Sequence, residues 1–380
     1  MSGQRRYLTI IAGAAFGVGA IAVGLRAESA ALPTAVSGTL EQYGFHARHG
    51  LHDGARKKHV PEATKIRSVP FFSSGFTADG TSYPYTMVGK APEKGGTTVV
   101  SAPITPLKFN FSNGLSFDGR QVVANTVGSP VFEEARFSTG KTQYGDAIQR
   151  ATFWNRMKKD RDYHVLLDEH PRVERTVEIN VPDEAGFAFY FPPNDKNLAL
   201  VDINYFYALL QQQVWPGMKK EEFPILLSYN VFLYDGDPNN CCILGFHDAF
   251  VSKTDKDGDR VDLQTYSWAS WSDMGFFGAP IADVHALSHE VSEWMNDPFT
   301  NNTTPFWQGD GGYGCNNFLE TGDPLVGAAF PVTLHGYTYY PQTVALLPWF
   351  AREAPSSAYQ HAYSYPDTSV LTDLPLECTP

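Results

Sequence analysis

His289, Glu290 and Glu293 are the residues whose types and spacing point most directly to chemistry. They lie in the segment Asp-Val-His-Ala-Leu-Ser-His-Glu-Val-Ser-Glu-Trp-Met-Asn-Asp-Pro, residues 283–298, as His-Glu-x-x-Glu. Residues four apart on an α-helix lie nearly above one another, so the His289 imidazole and the Glu293 carboxylate can bind one metal ion from the same face. Glu290 is offset from His289 by about 100°. That is where a zinc hydrolase keeps a general base, beside a metal-bound water. His285 shares the stripe and is an alternative ligand or a supporting partner. In a His285/His289 register the residue after the first ligand would be Ala286, which moves no proton. An ordinary amphipathic helix is the plain alternative, but Ala286, Leu287, Val291, Trp294 and Met295 surround the polar groups with apolar neighbours, where charges need a partner or a metal.

A catalytic site of this kind needs a third protein ligand from beyond the helix. Proline disfavours helix at the residue before it, so the helix is expected to stop at Asn296-Asp297-Pro298. A Gly- and Asn-rich loop follows, then Phe318-Leu-Glu320-Thr-Gly-Asp323-Pro324. Glu320 is the favoured third ligand. Asp323 is the alternative, as a ligand or as an orienter of an imidazole. Gly-Asp-Pro is also ordinary turn chemistry, and Asp310 is a weaker third choice.

The run Leu-Ser-His-Glu-Val-Ser-Glu-Trp-Met-Asn-Asp-Pro with the later Glu-Thr-Gly-Asp resembles secreted bacterial metallopeptidase-like proteins that carry His-Glu-Ile-x-Glu-x-x-x-Asp-Pro and Glu-x-Gly-Asp. It is similar, more distantly, to plant phosphate-induced, exordium-like proteins with an Ala-His-Glu-Leu-x-Glu core. Tyr144 to Trp154 and Cys241 to His247 also fit the bacterial group, so the resemblance spans most of the mature chain. It implies a metzincin-like fold with a metal-binding helix, and no particular substrate. Glu293 stands where established zincins have a second histidine. The resulting oxygen-rich site leaves room for a divalent ion other than Zn2+, or for a degenerate site.

The elements that must position these residues are legible in outline. Short strands separated by Pro and Gly are expected from Tyr83, over Thr97 to Ser101 and over Leu107 to Phe111. Asp146 to Lys158 has helical spacing with Trp154 in the core, and Asp202 to Gln212 is a second helix. Ile225 to Tyr234, Cys242 to Phe250 and Val261 to Trp268 read as strands just before the metal helix. The expected class is α+β, a metzincin-like catalytic layer with an N-terminal β-rich module. The expected division is a leader over 1–30, a linker or pro-segment over 31–80, the β-rich module over 81–200 and the metal-binding domain over 201–380. His46, His49, His52 and His59 fall in the linker. Asp255, Asp257, Asp259 and Asp262 resemble part of a calcium loop but lack its twelfth-position Glu, and a hairpin turn is the plainer reading. His247, on a strand, is read as a buried histidine or a contributor of substrate contacts. His335, His361, Tyr337, Tyr339 and Tyr340 are undifferentiated candidates for a transition-state donor.

The chain has 380 residues, 14% aromatic and 18% charged, and a net charge of −12. It is long enough for a large core and has no basic footprint for nucleic acid. Arg5 and Arg6 precede an apolar Gly/Ala-rich run from Leu8 to Leu25 with small residues after it, the layout of a signal peptide of the Sec or twin-arginine type. An uncleaved anchor is the membrane alternative. Export is therefore expected, to a periplasmic or extracellular location. Cys241, Cys242, Cys315 and Cys378 then permit two disulfides in three connectivities, and a bridge from Cys315 would tie down the third-ligand loop. The expected function is an exported metal-dependent hydrolase, a zinc peptidase acting on peptide or protein through Glu290. The alternative is a non-enzymatic adhesion or cell-wall protein with a structural or degenerate metal site.

Overall fold

The computed structural model describes residues 8–11, 20–23, 40, 65–158, 162–257, 259–309 and 314–379. Of the expected leader only 8–11 and 20–23 are described, as an antiparallel pair of strands. His46, His49, His52, His59 and Asp310 lie outside the described residues.

The site is built on a mixed sheet of seven strands. In chain order these are β1 (Lys65–Arg67), β2 (Ile104–Phe111), β3 (Ser116–Asp118), β4 (Val177–Val181), β5 (Ile225–Tyr229), β6 (Gly245–Thr254) and β7 (Arg260–Trp271). The path across the sheet is β4-β2-β5-β7-β6, with β1 beside β7 and β3 beside β2. The β4/β2, β2/β5 and β5/β7 pairs are parallel, while β6 closes the path antiparallel to β7. Because β2 pairs with β5, the segments expected to form separate modules on either side of residue 200 share this sheet.

Alternation sends successive side chains to opposite faces, and both faces are buried. Leu226 on β5, Phe246 on β6, and Tyr266 and Trp268 on β7 enter one apolar core, which Phe206 and Leu209 of a helix over Ile203–Leu209 help to fill. Ile225, Leu227, Ala269 and Trp271 enter the other. The helix expected over 202–212 is thus α-helical only to Leu209 and widens into a π-turn over Leu210–Val214. The Asp202 carboxylate caps its start by accepting from Asn204 N and Tyr205 N.

The second face carries αB (His285–Asn296), against which αA (Tyr144–Thr152) packs, and every residue of both is buried. Leu287, Val291, Trp294 and Met295 pack αB into the core. The Trp294 ring stacks on Phe223 at 3.7 Å, and its Nε1 donates to Thr265 Oγ1 at 3.1 Å. Gly145 lets αA approach: a Cβ there would lie 2.8 Å from Met295 Sδ. The helix expected over 146–158 starts at Tyr144 and ends at Thr152, leaving Trp154 half-buried, edge-on to Tyr359. αB ends at Asn296, as Pro298 requires. Residues 256–257 turn after β6, and Asp262 is taken up by a two-bonded pair with Arg67 at 2.6 and 2.8 Å.

Two further strands, Thr303–Gln308 and Cys315–Phe318, form a hairpin after αB. Disulfides join Cys315 to Cys378 and Cys241 to its neighbour Cys242. The first anchors the strand that leads to Glu320 against the C-terminal segment. Among the described residues no helix is long and apolar enough to cross a membrane.

Candidate metal centre

αB, β6 and the loop after Phe318 converge on one point. αB contributes His289, Glu290 and Glu293, β6 contributes His247, and the loop contributes Glu320 and Asp323. His289, Glu290, Glu293 and Asp323 have no exposed surface and His247 is 5% exposed, while Glu320 is half-buried with its Oε2 buried. Two glycines allow this density. A Cβ on Gly245 of β6 would lie 2.7 Å from Glu290 Oε1, and one on Gly322 would lie 2.2 Å from His289 Nδ1.

Both imidazoles have one nitrogen committed. His247 Nε2 lies 3.2 Å from the Asp297 carbonyl, which can only accept, so this nitrogen carries the proton. His289 Nδ1 lies 2.8 Å from Gln342 Oε1. The Gln342 amide is oriented by its other end, where Nε2 donates to Gly322 O at 2.6 Å and Leu325 O at 3.0 Å. Its oxygen therefore faces the ring, and His289 Nδ1 is the donor. Burial holds both rings neutral, lowering His289 below the usual histidine range and His247 to about 4.

Each neutral ring then directs a lone pair at carboxylates. His289 Nε2 is 2.9 Å from Glu293 Oε1, 3.5 Å from Asp323 Oδ1 and 4.0 Å from Glu290 Oε1. His247 Nδ1 is 3.4 Å from Glu290 Oε2 and 3.7 Å from Glu293 Oε2. Lone pairs facing carboxylate oxygens repel unless a proton or a cation lies between them. Burial, together with the charges of Glu293, Glu320 and Asp323, holds Glu290 well above the carboxylate range, and burial with Asp323 does the same for Glu293. The donors fit a divalent cation: His247, Glu293 and Glu320 form one group with ligand atoms within 4.8 Å of one another, and His289, Glu290 and Glu293 form another.

The residues singled out from the spacing are thus found together, Glu320 and Asp323 alike. His285 stands apart from both groups. It lies one turn before His289 with Nδ1 3.2 Å from the Tyr340 carbonyl, and burial lowers it to about 3. It supports the segment carrying Gln342, whose backbone N donates to Ser288 Oγ at 2.9 Å. His335 is exposed beside Glu133, and His361 contacts the Ser356 carbonyl. Two residues were missed as members of the centre, His247 and Gln342. For His247 the signal was Gly245-x-His247 on a strand, alternate positions on the face opposite Phe246.

Comparison of the chain with protein-family models, with curated proteins and with solved structures finds no match.

Proposed function

We propose that this chain is an exported metal-dependent hydrolase, a peptidase with a metzincin-like catalytic layer, whose centre is held by His247, His289, Glu293, Glu320 and Asp323. The observation that carries the reading is the pair of buried, neutral imidazoles with lone pairs directed into a nest of carboxylates. Zn2+ suits two imidazoles with carboxylate oxygens, and the excess of oxygen also suits Mn2+ or Fe2+. A divalent ion bound there would supply Lewis-acid polarisation of a scissile carbonyl. Glu290, within reach of both imidazoles, takes the proton of an attacking water and returns it to the leaving amine. Two disulfides fit the oxidising compartment to which the N-terminal leader would deliver the chain.

The burial of these side chains favours a second reading, a secreted adhesion or cell-wall protein stabilised by a closed structural ion. Glu290→Gln separates the two. On the hydrolase reading the variant retains the metal, measured by elemental mass spectrometry, and loses cleavage of a peptide library. Cleavage retained by the variant refutes the role of Glu290. A metal-loaded wild type that cleaves no peptide supports the structural ion.

A further inference from the structure

Glu293 differs from an ordinary terminal ligand in the way its two oxygens divide. Oε1 faces His289 Nε2 at 2.9 Å, whereas Oε2 faces His247 Nδ1 at 3.7 Å. Oε1 also accepts from Gly322 N at 3.0 Å, and the Asp323 backbone N–H acts on the same carboxylate, while Oε2 is fully buried with no hydrogen-bond partner among the described residues. Its neighbours are the His247 ring and the Glu320 carboxyl. A carboxylate whose oxygens face two different imidazoles is disposed as a bridge.

We propose that the centre takes two divalent cations, bridged by Glu293, one completed by His289 and Asp323 and the other by His247 and Glu320. The inference rests on the metal-centre reading above and adds a second ion to it. Charge favours it. Four carboxylates converge here, three of them wholly buried; with all four ionised, as metal binding requires of ligands, a single divalent ion leaves two negative charges uncompensated while two ions neutralise the set. Four carboxylates and two imidazoles is also the donor count with which di-iron and di-manganese bundle proteins hold two ions, there supplied by four helices and here by one helix, one strand and one loop. Glu290 spans the same two imidazoles, with Oε2 3.4 Å from His247 Nδ1 and Oε1 4.0 Å from His289 Nε2. Its role as proton acceptor is kept, placed over both ions, where two-metal sites activate a nucleophile between cations about 3.5–4 Å apart.

The test uses the full chain freed of metal by a chelator and titrated with Mn2+ alone and with Zn2+ alone. Two equivalents bound, with the Mn2+ form giving an exchange-coupled multiline paramagnetic resonance spectrum, is the expected result. His247→Ala should reduce the stoichiometry to one and abolish the coupling while leaving the remaining ion bound. One equivalent in the wild type, with the six-line spectrum of isolated Mn2+, overturns the bridge and leaves the single-ion centre standing. No binding of either ion overturns the metal-centre reading and the bridge with it. The wild-type measurement decides between these even if the His247 variant fails to fold.

Discussion

Gln342 is the side chain on which the geometry of His289 depends. One amide orients the imidazole through Oε1 and holds the Gly322 and Leu325 carbonyls through Nε2, so it also sets the loop carrying Glu320 and Asp323 against the helix. Partners of this kind change metal affinity by about 10–100-fold when removed. Gln342→Leu should weaken divalent-ion binding within that range while the protein stays folded, as read by calorimetric titration and circular dichroism. Unchanged affinity would deny Gln342 this role. Asp283 gives a pH dependence. It sits at φ 47 just before αB, its Oδ1 accepts from Val284 N and Tyr340 N, and burial raises its carboxyl from 3.8 to about 7. The folded chain thus keeps a proton that the unfolded chain releases, and this contribution to stability declines as pH rises from about 4 to about 7. Asparagine tolerates the same backbone, so Asp283→Asn should reduce the fall of the urea midpoint across that window. An identical pH slope in both proteins would contradict the assignment.

At the scale of elements, the centre depends on how closely a strand and a loop approach αB. Gly322 has an ordinary φ of −83°, so Gly322→Ala brings no backbone strain and its whole effect comes from the Cβ meeting the His289 ring. With the ring held by Gln342, the substitution should cost about 1–3 kcal/mol of stability by overpacking and should weaken metal binding. A thermal midpoint and metal content equal to wild type would show that the loop gives way freely. The helix was largely legible in the sequence. His289, Glu290 and Glu293 declare themselves by spacing, Pro298 ends the helix, and Glu320 and Asp323 follow within one loop. His247 and Gln342 were not legible as members of the centre, because they lie 43 positions before Glu290 and 53 after His289. What brings them in is strand pairing and loop closure, which leave no local periodicity to read.

For the whole molecule, the mixed, largely parallel sheet accounts for both what the composition suggested and what it concealed. Strong aromatic content and runs such as Ile225 to Tyr234 announced buried strands, yet neither residue type nor spacing indicates that β2 pairs with β5 and β5 with β7. Those pairings merge segments expected to be separate modules. The four cysteines allowed three connectivities, and the fold selects the adjacent pair and the long link from Cys315 to Cys378. That long link closes a separation of 63 residues, worth about 4 kcal/mol in the chain-entropy account. It holds the end of the chain beside the loop that carries Glu320.

The most direct test of the account is the metal content of the purified full chain, measured by elemental mass spectrometry on wild type, His289→Ala and Glu293→Ala in parallel. Stoichiometric divalent metal in the wild type, lost in both variants, is the predicted result. A wild type that holds no metal even after reconstitution would contradict it.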